Sequence, residues 1–112
     1  MIMTLLHLVQ IMLKDVINDL VDGECIISAA LLDDSGFTIE RTSIDLKPNE
    51  LTGFLEMVES YEISTIVTTE YIVSCKKFQS GQTLISVTPK NGNIGKARLR
   101  IEQYCSLIAK YL

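Results

Sequence analysis

The sequence predicts an α+β fold: one five-stranded antiparallel sheet covered by helices on both faces, in the order α-β-β-α-β-β-β-α. Three observations predict it. Apolar residues recur at helical spacing in three separated segments, at the start, the middle and the end of the 112-residue chain. Between them lie short runs rich in β-branched and aromatic residues. The turns within those runs are too short for a crossover, so neighbouring strands must be antiparallel. The length fits one domain, residues 1–112. A 47% apolar and 21% charged composition is that of a globular chain.

The elements follow in order. Ile2, Leu6, Val9, Leu13, Val16 and Leu20 step by four and three residues, predicting an amphipathic helix over 4–21. Asp22-Gly23 ends it, with Gly23 free to take a left-handed C-cap conformation. The run CIISAALL (25–32) reads as a strand apolar on both faces. Asp33-Asp34-Ser35-Gly36 is a hairpin loop, and Phe37–Arg41 alternates as a half-exposed strand does. Pro48 suits the first turn of a second helix, in which Leu51, Phe54, Leu55 and Val58 repeat at helical spacing to about Ser60. Gly53 lies inside it, either as a tolerated defect or because another backbone passes close. Three strand-like runs follow, ISTIVTT, YIVSCKKF and QTLISVT, joined at Thr69-Glu70 and at Gln79-Ser80-Gly81. The last helix starts near Asn93, its N-cap, with Ile94, Ala97, Ile101, Tyr104, Cys105, Ile108 and Leu112 on one face. Gly92 lets the chain turn there, and Gly95 lets the first helical turn approach the sheet.

Charge and composition narrow the function. The net charge of −4 argues against general nucleic-acid binding. It is unevenly spread: residues 1–62 hold three basic residues against twelve acids, and residues 63–112 seven against two. Cys25, Cys75 and Cys105 have no C-x-x-C spacing and read as reduced, buried thiols of a cytoplasmic protein. With His7 the sole histidine, a His-rich metal site is excluded within one chain. The apolar start, MIMTLLHLVQIML, lacks a basic flank and a cleavage site. It is broken at Gln10 and stops at Lys14, short of the ~20 residues of a membrane span.

Catalytic and cofactor chemistry finds little support. His7 sits on an apolar helix without an evident partner. Asp33 and Asp34 are adjacent turn acids, and Glu56, Glu59 and Glu62 read as a solvated face or a partner surface. The stretch KNGNIGKARLRI invites comparison with a phosphate loop. The G-x-x-x-x-G-K-[ST] pattern ending at Gly95-Lys96 would need a glycine where Lys90 stands and a hydroxyl where Ala97 stands. GNIG matches the G-x-x-G of KH domains, but that loop joins two helices and this one follows a strand. The expectation is no catalytic residue, no metal and no cofactor.

Three stretches carry a family resemblance: the LLDDSGF hairpin, the strand pair around TIVTTEYIVSCKKF, and above all LISVTPKNGNIGKARLRI. With the element order, they make the chain similar to the roadblock/dynein light chain family over nearly its whole length. The resemblance implies a homodimer, or a heterodimer with a related roadblock chain, in which the middle helix and the neighbouring edge strand pair across a two-fold axis. It implies no catalytic residues and no cofactor, and a role in scaffolding or regulating small Ras-like GTPases. Carried onto this sequence, the dimer helix is Glu50 to Ser60 and the edge strand Ile63 to Thr69. The candidate contacts are Gly53, Met57, Tyr61, Ile63, Thr65 and Val67. A bulky Gly53→Leu then disrupts the dimer, and an unchanged mass in light scattering would refute this. Arg41, Arg98 and Arg100 are the arginines available to act on a GTPase. The first helix starts almost at residue 1, leaving no tail for tethering, so the expected partners are proteins met through the folded surface, not nucleic acid or membrane. The alternative from another class is a profilin-like or PAS-like sensor of a small ligand, which requires a cavity with convergent polar groups.

Overall fold

A computed structural model describes residues 4–42 and 62–112. Seven elements appear there: α1 (Leu5–Leu20), β1 (Ser28–Leu32), β2 (Thr38–Arg41), β3 (Ile63–Val67), β4 (Tyr71–Lys77), β5 (Thr83–Pro89) and α2 (Ile94–Ala109). The strands form one antiparallel sheet in the order β2-β1-β5-β4-β3. The β1-β2 hairpin and the β3-β4-β5 meander are the predicted ones. The chain then closes the sheet by pairing β1 with β5, Ala30 opposite Ile85, so that β2 and β3 become its opposite edges.

Both described helices lie on one face. Leu13, Ile17 and Leu20 of α1 and Ala97, Ile101, Cys105 and Ile108 of α2 bury Ala29, Leu31 and Leu84 of the sheet. The other face buries Leu32, Val73, Cys75 and Ile85, so β1 is apolar on both sides, as its unbroken run requires. The helix expected over that face, with Gly53, Met57 and Tyr61, lies outside the described residues.

Local chemistry sets the boundaries. The Thr4 side chain caps α1 by accepting from the His7 N–H, and the Asn93 side chain caps α2 by accepting from the Lys96 N–H at 3.0 Å. Gly36 and Gly81 take positive φ in their hairpin loops. Gly92 is required by space, since a Cβ there would stand 2.9 Å from Thr88 Cγ2 and 3.0 Å from the Pro89 carbonyl.

Several expectations are corrected. Gly23 does have positive φ, but α1 has already stopped at Leu20, with Val21 extended. Gly23 serves the next turn, where its N–H reaches the Ile26 carbonyl. A Cβ at Gly95 would meet only the Asn93 Oδ1, at an ordinary 3.5 Å, so no close approach to the sheet depends on it. Ile94 is exposed, because the buried stripe of α2 starts one turn later at Ala97. Leu6 is exposed and Val9 only half-buried, because α1 first meets the core at Leu13. The last difference is a shorter β3, which ends at Val67 because Thr68 closes the turn on Tyr71 through backbone and side chain.

Candidate interaction surface

Among the described residues β3 pairs on one side only. Its five residues pair with β4 from Ile63 opposite Lys76 to Val67 opposite Ile72, and it is the last strand in the sheet. The backbone groups directed away from β4 are a template for a further strand. Ile63, Thr65 and Val67 share the helix-bearing face of this edge, because their partners Lys76, Ser74 and Ile72 align with Leu84, Ser86 and Thr88 of β5. Ile63 packs partly against the core, whereas Thr65 and Val67 are exposed. Three of the six sequence-predicted contact residues are thus brought together on one edge. The other three lie outside the described residues.

Next to this edge is a cleft of about 510 Å³, open to solvent and lined by Glu62, Ile63, Lys76, Phe78, Arg98, Glu102 and Cys105 among others. Arg98 and Glu102, one turn apart on α2, pair along one wall of it at 3.9 Å, both about half exposed. Such a pair contributes little to stability but leaves charge of both signs for a partner. Burial pushes the Cys105 thiol up to about 11, with Lys76 opposing and Glu102 adding to the shift. Burial likewise raises Cys75 to about 11. Both are therefore protonated thiols near neutral pH, poor as nucleophiles or metal ligands. All three cysteines are free and buried. Among the described residues no group of three potential metal ligands assembles, and no helix is long and apolar enough to cross a membrane.

The three arginines have different situations. Arg41 is exposed on β2, and Arg98 lines the cleft. Arg100 instead closes the end of α1. Its Nε donates to the Leu20 carbonyl at 2.8 Å and its Nη2 to the Asp19 carbonyl at 2.6 Å. Its charge lies 3.8 Å from Asp22 and its guanidinium 5.0 Å over the ring of Tyr104. Tyr104 in turn donates to Asp19 Oδ2 at 2.7 Å. The last turn of α1 has no basic residue of its own, so its carbonyls draw their cation from α2. That missing cation was the one sequence signal for this role. The acidic end of the first half of the chain and the basic helix of the second therefore meet at a structural junction here.

Asp22 completes the junction. Its Oδ1 accepts N–H bonds from Glu24, Cys25 and Ile26, each at 2.9 Å. Burial alone would raise its carboxyl, but those three donors and the Arg100 charge outweigh it and hold it below the usual carboxylate range. Asp33 is likewise a turn residue, accepting from Ser35 and Phe37, and His7 is exposed on α1. The stretch that resembled a phosphate loop is a capped helix start.

No protein-family model matches the sequence, and no curated protein matches it. Solved structures do match its fold. The Roadblock/LC7 domain from Streptomyces avermitilis superposes with a TM-score of 0.71 at 14% identity, over 86% of this chain and 97% of that one. MglC from Myxococcus xanthus gives 0.69 at 11% identity, over 93% and 99%. The gliding protein MglB from Thermus thermophilus gives 0.68 at 9% identity, over 98% and 93%. The chain has the roadblock-domain fold.

Proposed function

We propose that this roadblock-fold chain is a non-catalytic, dimeric interaction module of the cytoplasm that scaffolds or regulates a small Ras-like GTPase. The observation that carries the reading is that β3 is an edge of the sheet among the described residues, with Thr65 and Val67 exposed along it. A second copy, or a related roadblock chain, added there would extend the sheet across a two-fold axis and remove the edge. Ile63, Thr65 and Val67, with Gly53, Met57 and Tyr61, are the proposed contacts. The likeness to MglB, which one solved structure shows in a tetrameric arrangement, supports self-association.

Effects on GTP hydrolysis would then come from positioning the GTPase's own groups. Arg100 is engaged in the α1 junction, which leaves Arg41 and Arg98 as the arginines accessible to a partner. The cleft beside β3 carries both signs of charge and is open, a form suited to protein contact rather than to enclosing a small ligand. Affinity capture from the source cell, with GDP or a GTP analogue held in excess, tests the partner. Recovery of a small GTPase in one nucleotide state supports the reading, and recovery of none in either state refutes it.

A further inference from the structure

The backbone of β3 determines how a further strand can meet it. Its hairpin with β4 closes where the Thr68 N–H donates to the Tyr71 carbonyl. In an antiparallel ladder, pairs that exchange hydrogen bonds alternate with pairs that exchange none. Counting back from that closing pair through the β3–β4 register, Ile66 and Ser64 turn their N–H and C=O groups toward β4. Ile63, Thr65 and Val67 turn theirs outward. No charge, proline, glycine or bulge guards Ile63–Val67. The sheet's other edge among the described residues, β2, carries Glu40 and Arg41 and is bulged against β1 between Leu31 and Leu32. Two β3 edges therefore suit each other better than β3 suits β2, and only the like pair closes on itself.

We propose that two copies pair antiparallel through β3 in one register, with Thr65 opposite the partner's Thr65 and Ile63 opposite the partner's Val67. This rests on the β3 pairing proposed above and fixes its register. A shift by one residue sets an outward-directed residue against one whose groups already bond β4, so no ladder forms. A shift by two residues in either direction pairs only two of the three outward residues of β3, and it sets Thr65 against Ile63 or Val67. The central register pairs all three. It places apolar Ile63 on apolar Val67 and joins two threonines at the axis, a favourable cross-strand combination. It also keeps the helix-bearing faces of both copies on the same side.

In this register the cleft beside α2 becomes a shared one. Ile63 lines it, and the side chains of directly opposite residues stand side by side on one face. The partner's Val67, 65% exposed in the single chain, therefore joins the cleft wall next to Ile63 and loses much of its exposure. Each of the two clefts then carries side chains of both copies, so a protein docking there reads the paired form and not the single chain.

Two measurements test it, each with circular dichroism as the folding control. The first is a short thiol cross-linker on Thr65→Cys and Val67→Cys variants, in which all native thiols are buried. The Cα atoms of an exchanging pair are about 5.5 Å apart, so Thr65→Cys should be joined to its own copy. Val67→Cys stands four residues, roughly 13 Å along the strand, from its own copy and should not be. The second is light-scattering mass for two charge variants. Ile63→Lys/Val67→Glu sets each lysine against a glutamate of the partner and should keep the wild-type mass, whereas Ile63→Lys/Val67→Lys should halve it. Equal cross-linking of the two cysteine variants, or equal masses of the two charge variants, beside a wild type of at least twice 12.5 kDa would overturn the register and leave β3 pairing itself standing. A wild type that stays at 12.5 kDa would overturn both.

Discussion

Replacing Arg100 by alanine should unfold the chain more easily by about 2 kcal/mol. The side chain makes two hydrogen bonds to helix-terminal carbonyls, at 2.8 and 2.6 Å, and one charged partner in such a bond is worth roughly 1.5 kcal/mol or more. It also sits at the negative end of the α1 dipole, worth about 0.3–1 kcal/mol, and over Tyr104, worth about 0.5–1 kcal/mol. The gross total is roughly 4–5 kcal/mol. A quarter of the side chain is exposed, however, and water can reach the freed carbonyls, so about half is expected to be lost. For a chain of this size that lowers Tm by on the order of 8 °C. The assay is urea and thermal unfolding followed by far-ultraviolet circular dichroism, with Arg98→Ala as the control. Arg98 is half-exposed in an i,i+4 pair, and its loss should cost under about 0.5 kcal/mol. Arg100→Lys keeps the charge without the two-pronged donor and should recover less than half of the loss. Equal stability of the Arg100→Ala and Arg98→Ala variants would refute the junction.

Other predictions come from the same contacts. The Asp22 carboxyl is depressed in the folded state, so its contribution is complete above the unfolded value near 4 and is lost as pH falls through the lower folded one. Asp22→Asn should therefore be destabilising at neutral pH and should flatten the acid limb of a stability–pH profile; parallel limbs for variant and wild type would contradict this. Gly92→Ala should destabilise, because its Cβ meets Thr88 and Pro89. Gly95→Ala, on a helix where the new Cβ makes only an ordinary 3.5 Å contact with Asn93 Oδ1, should be neutral or raise stability by up to about 0.5 kcal/mol. Equilibrium unfolding distinguishes the two, and a reversed order would show that the turn before α2 is built differently.

Much of this architecture was legible in the sequence because local rules govern it. A period near 3.6 marked α1 and α2, Asn93 marked where α2 starts, and short glycine-bearing or two-residue turns fixed the hairpins. What escaped was non-local. The pairing of β1 with β5 brings together residues more than fifty positions apart, and no local signal names that partner. Arg100 looked like a surface arginine because its acceptors, Asp19 and Leu20, are about eighty residues away. The periodicity of α1 showed an apolar stripe but not where the sheet beneath it ends, so it did not show that Leu6 is exposed and Val9 only half-buried. On the candidate surface, sequence resemblance selected Ile63, Thr65 and Val67. Sheet order supplies the physical reason, an open edge, while the lining of the adjacent cleft comes from three separate elements and has no linear signature.

The claim that the β3 edge is where this module pairs is tested most directly by the light-scattering mass of the purified chain beside a Thr65→Lys/Val67→Lys variant. Both positions are exposed, so the variant should keep the wild-type circular dichroism spectrum. Paired edges would bring the added charges together and separate the copies. The account predicts a wild type of at least twice the 12.5 kDa of one chain and a variant at half the wild-type mass. A folded variant that retains the wild-type mass, or a wild type that remains at 12.5 kDa at every concentration, would contradict it.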